Sequence, residues 1–595
     1  MITAYFSPPM IKRVTSTQPR LKQPHLSHPQ HHYRALAAIL LVGTGLRFLN
    51  LGQKPLWLDE MLTVLFSLGR NSADIPRETW WPATDLANLL SLNAAATCAQ
   101  ITQYVATDSN HPPLFFCALH QWLRWLPLDR LDLVWAVRSL PALIGIACIA
   151  AMYWLGRVTL SPRTGLAAAL LMAVSPFAVY LSQEARHYTL PMLLITLSLA
   201  ALVQMQQDLQ RQQLRWPLWL AWVGLSLLGL YVHYFVALAI AAQGITLILW
   251  LLWHDWQEQQ VSHGGWRWIG ITLAGLALGY GPWLPTFWAH LNRPEASWLS
   301  ITDPTWGDRF MPLLQLVMGW MLMVVALPVE HQPLPIIILS SVLMLLVFSV
   351  IVWRCWQPAI ALRQSARRHP AITLLAGFTL CMVLEFLAIV YGLGKDLTLA
   401  PRYSFVYYPG CCLLLGALLT LPEPWKIQRR SLLWGIGLVG VISSLFVSYG
   451  LAFQKPYYPD RMAQTFDASP DRTLALLTVD QSFQDVALGL SFAVAIDRHA
   501  PQLQASPTST SMQLGFIHRP AGYRPVWRQL AELGGNVPRP ANLWTVLTPN
   551  TNPSGLPSTL DLSSPASDAP PPPCQQVEDQ RYRTGHLYQL YECLP

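Results

Sequence analysis

Apolar runs at residues 34–51, 138–156, 165–183, 188–205, 216–232, 235–253, 267–289, 334–353, 371–393, 405–421 and 432–453 decide what this chain can become. Each approaches the length a helix needs to cross a hydrocarbon core of about 30 Å. Charged residues make up 12% of the 595-residue chain and hydrophobic ones 53%, whereas a soluble domain carries roughly 25% charged residues. A soluble core cannot absorb that much apolar surface. The expected fold class is an all-α polytopic membrane protein with about eleven transmembrane helices, within a range of about ten to thirteen. Two further apolar pieces, 112–126 and 310–328, are read as helices lying on or dipping into the outer leaflet. Counting 310–328 as a span would place the Arg-rich 354–369 loop outside.

Orientation follows from Lys and Arg. The loops "GRVTLSPRTG", "QQDLQRQQLRW", "RCWQPAIALRQSARRHP" and "EPWKIQRRS" fall on one side, which the positive-inside rule makes cytoplasmic. The N-terminal tail, residues 1–33, shares that side and reads as disordered. The net charge of +8 sits in these short loops, with no basic stripe carrying interleaved aromatics, so no nucleic-acid partner is expected. The opposite, extracytoplasmic face holds a long first loop, about 52–137, and everything from about 455. A transmembrane domain is expected over 34–454 and a soluble domain over 455–595. In the latter, "RTLALLTVD" and "ANLWTVLTP" read as strands and "SFQDVALGLSFAVAID" as a helix, giving a small α/β domain with a Pro/Ser-rich insertion at about 549–573. The nine Cys residues show no zinc spacing, and most read as small hydrophobes in apolar segments. Cys574 and Cys593 are candidates for a disulfide, though connectivity is not readable from sequence.

The polar residues of the outer face carry the chemistry. In "LWLDEMLTVLFSLGR" (56–70), a helix would place Asp59, Thr63, Ser67 and Arg70 on one face, a polar stripe turned toward something wet. Alternatively, Asp59 caps the helix and Glu60 is solvated. "DSNHPPLFF" puts His111 before a Pro pair, as a rigid turn or as a site residue. "SQEARHY" gathers Glu184, Arg186, His187 and Tyr188 at a membrane exit, and "YVHYF" sets His233 among aromatics, for packing or for sugar stacking. "APRYSF" offers Arg402 and Tyr403, a fork for a phosphate headgroup or an interfacial anchor.

The order W-x-D-E, HPPL, R-S-L-P-A-L-x-G, S-x-E-A-R-x-Y and P-R-Y along residues 35–420 resembles the GT-C superfamily of membrane glycosyltransferases. The closest branch is the protein O-mannosyltransferase-like and aminoarabinose-transferase-like enzymes, of the glycosyltransferase family 39/83 type. The C-terminal 140 or so residues match no named family. The resemblance implies a GT-C fold with interfacial helices in the first outer loop. It also implies a polyprenyl-phosphate-linked sugar donor and transfer outside the cytoplasm to a lipid, glycan or protein acceptor. It maps the catalytic acid onto Asp59 with Glu60 beside it, the second-loop acid onto Glu184, the loop arginine onto Arg186 and the phosphate contact onto Arg402. Aminoarabinose transferases use a Lys near the PPL position where this chain has His111, which puts the phosphate-binding mode in question.

Under that reading Asp59 is the general base for an acceptor hydroxyl, with inversion at the anomeric carbon. Arg402 and Arg186 receive the departing phosphate, aided by Tyr403 and His111, while Tyr188, His187 and His233 contact substrate. Glu184 positions the acceptor or orients Arg186. Asp59, Glu60 and Glu184 would hold one divalent cation, Mg or Mn, if they converge. The rivals are a noncatalytic lipid-sugar-binding or assembly protein and a secondary transporter. Transport is disfavoured because the spans are nearly free of charge apart from Glu385.

Overall fold

The computed structural model describes residues 29–595 except 260, 294–298, 301–305, 365–368, 421–425, 456, 458, 467–471, 500–511, 520–521, 534–536, 550 and 563–571. Residues 1–28 of the expected N-terminal tail, and most of the second half of the expected insertion, lie outside the described residues. Pro29 already begins a helix that runs to Phe48.

Among the described residues, six helices are long and apolar enough to cross a membrane: Leu133–Thr159, Thr189–Gln210, Val236–Glu258, Leu334–Arg363, Pro370–Leu393 and Arg430–Ser448. The pair Pro162–Val174 and Pro176–Ser182, bent by 60°, would make a seventh. The other four runs also fall on helices, but on shorter, broken or more polar ones. Trp216–Leu230 has 15 residues and Tyr408–Thr420 has 13. The run at 267–289 divides at Gly281, and Pro29–Phe48 carries Arg34 and Arg47. Length and composition among the described residues thus do not confirm a count of eleven spans. Leu278, Trp353 and Leu393 are exposed, as lipid-facing side chains would be.

The bent pair sets the geometry of the site. Ser175 accepts the Ala178 N–H and Pro176 opens the new helix, the arrangement that restarts a helix at low cost. The break leaves carbonyls near the end of the first helix, and buried Arg47 donates to those of Met172 and Ala173. Gln183, just past the second helix, donates to Leu46, Arg47 and Leu49. Non-helical backbone at this depth is tolerable because protein polar groups answer it. Close helix crossing helps: Gly156 and Gly165 meet so tightly that an added Cβ would strike backbone at 2.7 and 2.5 Å.

Residues from 473 onward build a seven-stranded sheet, with an edge strand borrowed from the first loop. The strands are β1 Trp80–Pro82, β2 Thr473–Asp480, β3 Gln513–His518, β4 Ala541–Leu547, β5 Thr559–Leu560, β6 Cys574–Thr584 and β7 His586–Cys593. Their order is β1-β3-β2-β4-β7-β6-β5. β2 is parallel to β3 and β4, and the remaining pairs are antiparallel. The helix Phe483–His499 follows β2. One apolar core joins it to Leu58–Ser67 and Leu114–Trp125.

Leu114–Trp125 buries Phe115, Leu119 and Leu123 in that core and Phe116 in a smaller cluster beside it. Among the described residues, five cysteines form no disulfide, and Cys98, which sequence alone did not pair, is bonded to Cys117. Cys574 and Cys593 are also paired.

β1 pairs with β3 through Trp80, Trp81 and Pro82, and one of these contacts leaves little room for a side chain on β3. Trp80 lies over Gly515, and a Cβ there would sit 2.9–3.2 Å from the indole. Gly515→Ala should lower the unfolding midpoint of the full chain in detergent, by about 1–3 kcal/mol of overpacking. Gly555→Ala, with open space around it, should leave the midpoint unchanged. Equal midpoints for both variants would show that β1 does not rest on this contact.

Candidate functional site

The helix that opens the first loop runs from Leu58 to Ser67, and its N-cap is Trp57, which makes no side-chain cap bond. Asp59 therefore sits inside the first turn and is not the cap. The expected wet stripe is not present: Thr63 and Ser67 are fully buried and Arg70 lies beyond the helix, donating to Asn88 and Ser91. Neighbouring helices cover the face that periodicity alone left open.

Asp59 and Glu60 go separate ways, because one helical step turns a side chain by about 100°. Glu60 is fully buried and grips Arg138 through both oxygens, 2.8 Å to Nε and 2.7 Å to Nη2. It also accepts the Ala185 N–H at 2.6 Å. Burial alone would raise its pKa, but the Arg138 guanidinium and the Ala185 amide hold it below the usual carboxylate range. Arg138 spends its remaining N–H groups on the carbonyls of Leu51, Lys54 and Pro55. Glu60 is thus the anchor of the site, not a group facing a substrate.

Asp59 keeps some exposure and faces two cations. Arg402 Nη2 is 3.4 Å and Arg186 Nη2 is 3.9 Å from its Oδ2. Arg186 is held by its other amine, which donates to the Asp59 carbonyl and the Thr63 hydroxyl. Arg402 lies 5.3 Å from the Trp57 ring centre and 5.5 Å from that of Tyr403. Tyr403 in turn packs edge-on against Phe235.

Three histidines gather beside Arg186. His187 lies 4.8 Å from His111 and 4.7 Å from His233, centre to centre. Tyr188 and Phe405 close the group. Burial first, and then Arg186 for His111 and His187 and His111 for His233, push all three histidines well below their ordinary pKa. Neutral His111 accepts from Arg186 at 3.3 Å, so its Nδ1–H donates to Ser109. It brings no positive charge to the site.

Glu184 is turned away from Arg186 and pairs with Lys455 at 2.7 Å. With Glu60 on Arg138 and Glu184 on Lys455, the three carboxylates do not converge on a cation. Among the described residues, no group of three or more His, Cys, Asp and Glu side chains is placed to hold a metal ion. The structure thus joins Asp59, Arg186, Arg402, Tyr403, His111, His187, Tyr188 and His233 at one place.

Sequence reasoning missed Arg138, Lys54 and Lys455. Arg138 lay in the quoted R-S-L-P motif. Lys455, in "AFQKPYYP" just after the last span, gives no more signal than an interfacial anchor.

Lys54 tests this environment. Its buried amine donates to Gln183 and to the Val447 carbonyl. Burial first, then the Arg138 charge, lower its pKa from 10.5 to about 7. Below about pH 7 the folded and unfolded chains both hold this proton, and the buried charge is least favourable. Between about 7 and 10.5 only the unfolded chain holds it, so stability rises with pH. The melting temperature of the wild type relative to Lys54→Met should therefore climb from pH 6 to pH 9. A difference that stays flat or falls would contradict the buried amine.

Residues 110–281 match the family described as dolichyl-phosphate-mannose-protein mannosyltransferase. The match spans less than a third of the chain, and it agrees with the GT-C resemblance carried by the motif order in indicating a glycosyltransferase. No curated protein matches the chain. Among solved structures, it is similar to ArnT from Cupriavidus metallidurans bound to undecaprenyl phosphate, with 12% identity and a TM-score of 0.49 over 95% of this chain and 98% of that one. It is also similar to the oligosaccharyltransferase AglB from Archaeoglobus fulgidus, with 10% identity and a TM-score of 0.43 over 78% of this chain and 64% of that one.

Proposed function

We propose that this chain, a membrane glycosyltransferase by its family match, moves a sugar from a polyprenyl-phosphate-linked donor to an acceptor hydroxyl of a lipid, glycan or protein. The observation that carries this reading is Asp59 set beside two guanidiniums, Arg402 at 3.4 Å and Arg186 at 3.9 Å. Phosphate oxygens arriving on those guanidiniums compete with Asp59 for their N–H groups and leave its carboxylate to the acceptor. The acceptor oxygen bonds to the anomeric carbon while its proton passes to Asp59. The bond from that carbon to the phosphate oxygen breaks, and its electron pair leaves with the lipid phosphate. Arg402 and Arg186 stabilise the charge that grows there, as fixed dipoles and cations do in a dry site. His187, His233 and Tyr188 line the substrate side.

Transfer on the extracytoplasmic face is supported by the placement of the basic loops. It is also supported by the Cys98–Cys117 and Cys574–Cys593 bonds, which persist in oxidising compartments. The cell membrane is the expected location.

The test is the pool of lipid-linked sugars in cells lacking the protein and in cells carrying variants at matched levels. The donor should accumulate without the protein and with Asp59→Asn, whose turnover should fall by about 10²-fold or more. Asn keeps the shape, so its membrane level should stay near wild type. Glu60→Gln should instead reduce the amount of folded protein, since breaking a buried pair costs about 3–5 kcal/mol. Donor cleared as well by Asp59→Asn as by wild type would overturn the catalytic assignment.

A further inference from the structure

Lys455 takes no part in the mechanism above, yet its ammonium sits directly behind the site. It lies 2.7 Å from Glu184 Oε1, donates to the Tyr180 hydroxyl at 2.6 Å and stands 4.0 Å from the centre of the Trp57 ring. Indole and phenol thus seat the charge. The next helix, Pro459–Thr465, packs against Phe483–His499 of the sheet domain and fixes the chain from the other side. Glu184 stands two residues before Arg186, whose amide donates to the Glu184 carbonyl at 2.7 Å, a tight turn that folds the two residues together. Glu184 is buried, and a buried carboxylate keeps its charge only beside a cation. The neighbouring cations are committed: Arg138 to Glu60 and three carbonyls, Lys54 to Gln183 and the Val447 carbonyl. Arg186 has an N–H to spare, because its buried Nε has no hydrogen-bond partner among the described residues.

We propose that Lys455 is a positioning residue for the phosphate subsite: by holding the Glu184 carboxylate it keeps Arg186 free for Asp59 and for the donor phosphate. The role rests on the glycosyltransferase reading. Along the chain Arg186 is the nearest guanidinium to Glu184, and sequence order alone would pair them. The structure pairs Glu184 with Lys455 instead, and Arg186 is left to donate to the Asp59 carbonyl and the Thr63 hydroxyl. Without the ammonium, Glu184 turns to the unanswered Nε–H of Arg186. A carboxylate on that guanidinium competes with phosphate oxygens for its N–H groups and opposes their charge. Lys455 comes from the connection between the last span and the sheet domain, so the C-terminal region acts on the phosphate subsite through one ammonium.

The experiment is a titration of the full chain in detergent with undecaprenyl phosphate, with the melting temperature of each variant recorded alongside. Lys455→Met should weaken binding by about tenfold. Lys455→Met combined with Glu184→Gln should return to within about twofold of wild type, because the amide has no charge to place on Arg186. Arg186→Ala should weaken binding by itself, and in that background Lys455→Met should cost nothing further. Should Lys455→Met fail to fold, Lys455→Gln removes the charge, can still donate a hydrogen bond and is read the same way. If wild type binds no undecaprenyl phosphate, or Arg186→Ala binds it as wild type does, the phosphate subsite fails and this role falls with it. If Arg186→Ala weakens binding and Lys455→Met does not, the subsite stands and the role of Lys455 is overturned. It is equally overturned if the loss persists alongside Glu184→Gln or repeats in the Arg186→Ala background.

Discussion

A single buried ion pair holds the site in shape. Glu60 and Arg138 meet through two parallel hydrogen bonds with almost no water, and the carboxylate also takes the Ala185 amide. Arg138 completes its set of donors on three carbonyls of the 51–55 turn. Four segments from three separate stretches of the chain are thereby fixed: the turn before Trp57 and the Leu58–Ser67 helix that follows it, the long Leu133–Thr159 helix and the 183–188 loop. Such a pair is a weak source of net stability, since desolvation offsets much of its attraction. Its value is geometric. With Ala185 pinned, Arg186 next to it can reach Asp59 and Thr63.

The consequence is a sorting of charge. Of three acidic side chains near the site, one is spent on structure and one is tied to Lys455. Only Asp59 stands against the two arginines. The histidines beside them are held neutral by burial and by Arg186, so the positive field comes from guanidiniums. A guanidinium can grip two phosphate oxygens as a planar fork, which a neutral imidazole cannot do. Under the proposed reading the phosphate is therefore held by Arg402 and Arg186, and His111 need not supply the charge of a lysine.

Much of this was legible in the chain. The apolar runs located the helices, and the motif order brought Asp59, Arg186, Arg402 and the histidines into one proposal. "RTLALLTVD" and "ANLWTVLTP" became β2 and β4. What periodicity could not supply was partner choice. Asp59 and Glu60 are adjacent letters, yet their fates are set by Arg138 and Arg402, 78 and 343 positions away from them. The Cys98–Cys117 bond and the β1 pairing with β3 are likewise decided by chain segments meeting in space. Lys455 was hidden for the same reason, because a lysine after a span reads as an anchor until its carboxylate partner is known. Local breaks shorten two of the expected spans: the run at 267–289 is divided at Gly281, and the 401–406 turn delays the helix of the 405–421 run until Tyr408.

In the proposed mechanism one carboxylate, Asp59, acts alone, as the base for the acceptor hydroxyl. A double displacement needs a carboxylate nucleophile and a second acid or base about 5 Å from it, and Glu60 and Glu184 are both engaged elsewhere. The most direct test is the anomeric configuration of the sugar in the product, compared with that in the donor, read by NMR on material made by the purified protein. Inversion is the expected result. Retention of configuration would contradict it, because a second catalytic group would then have to act although, among the described residues, Glu60 and Glu184 are already paired with Arg138 and Lys455.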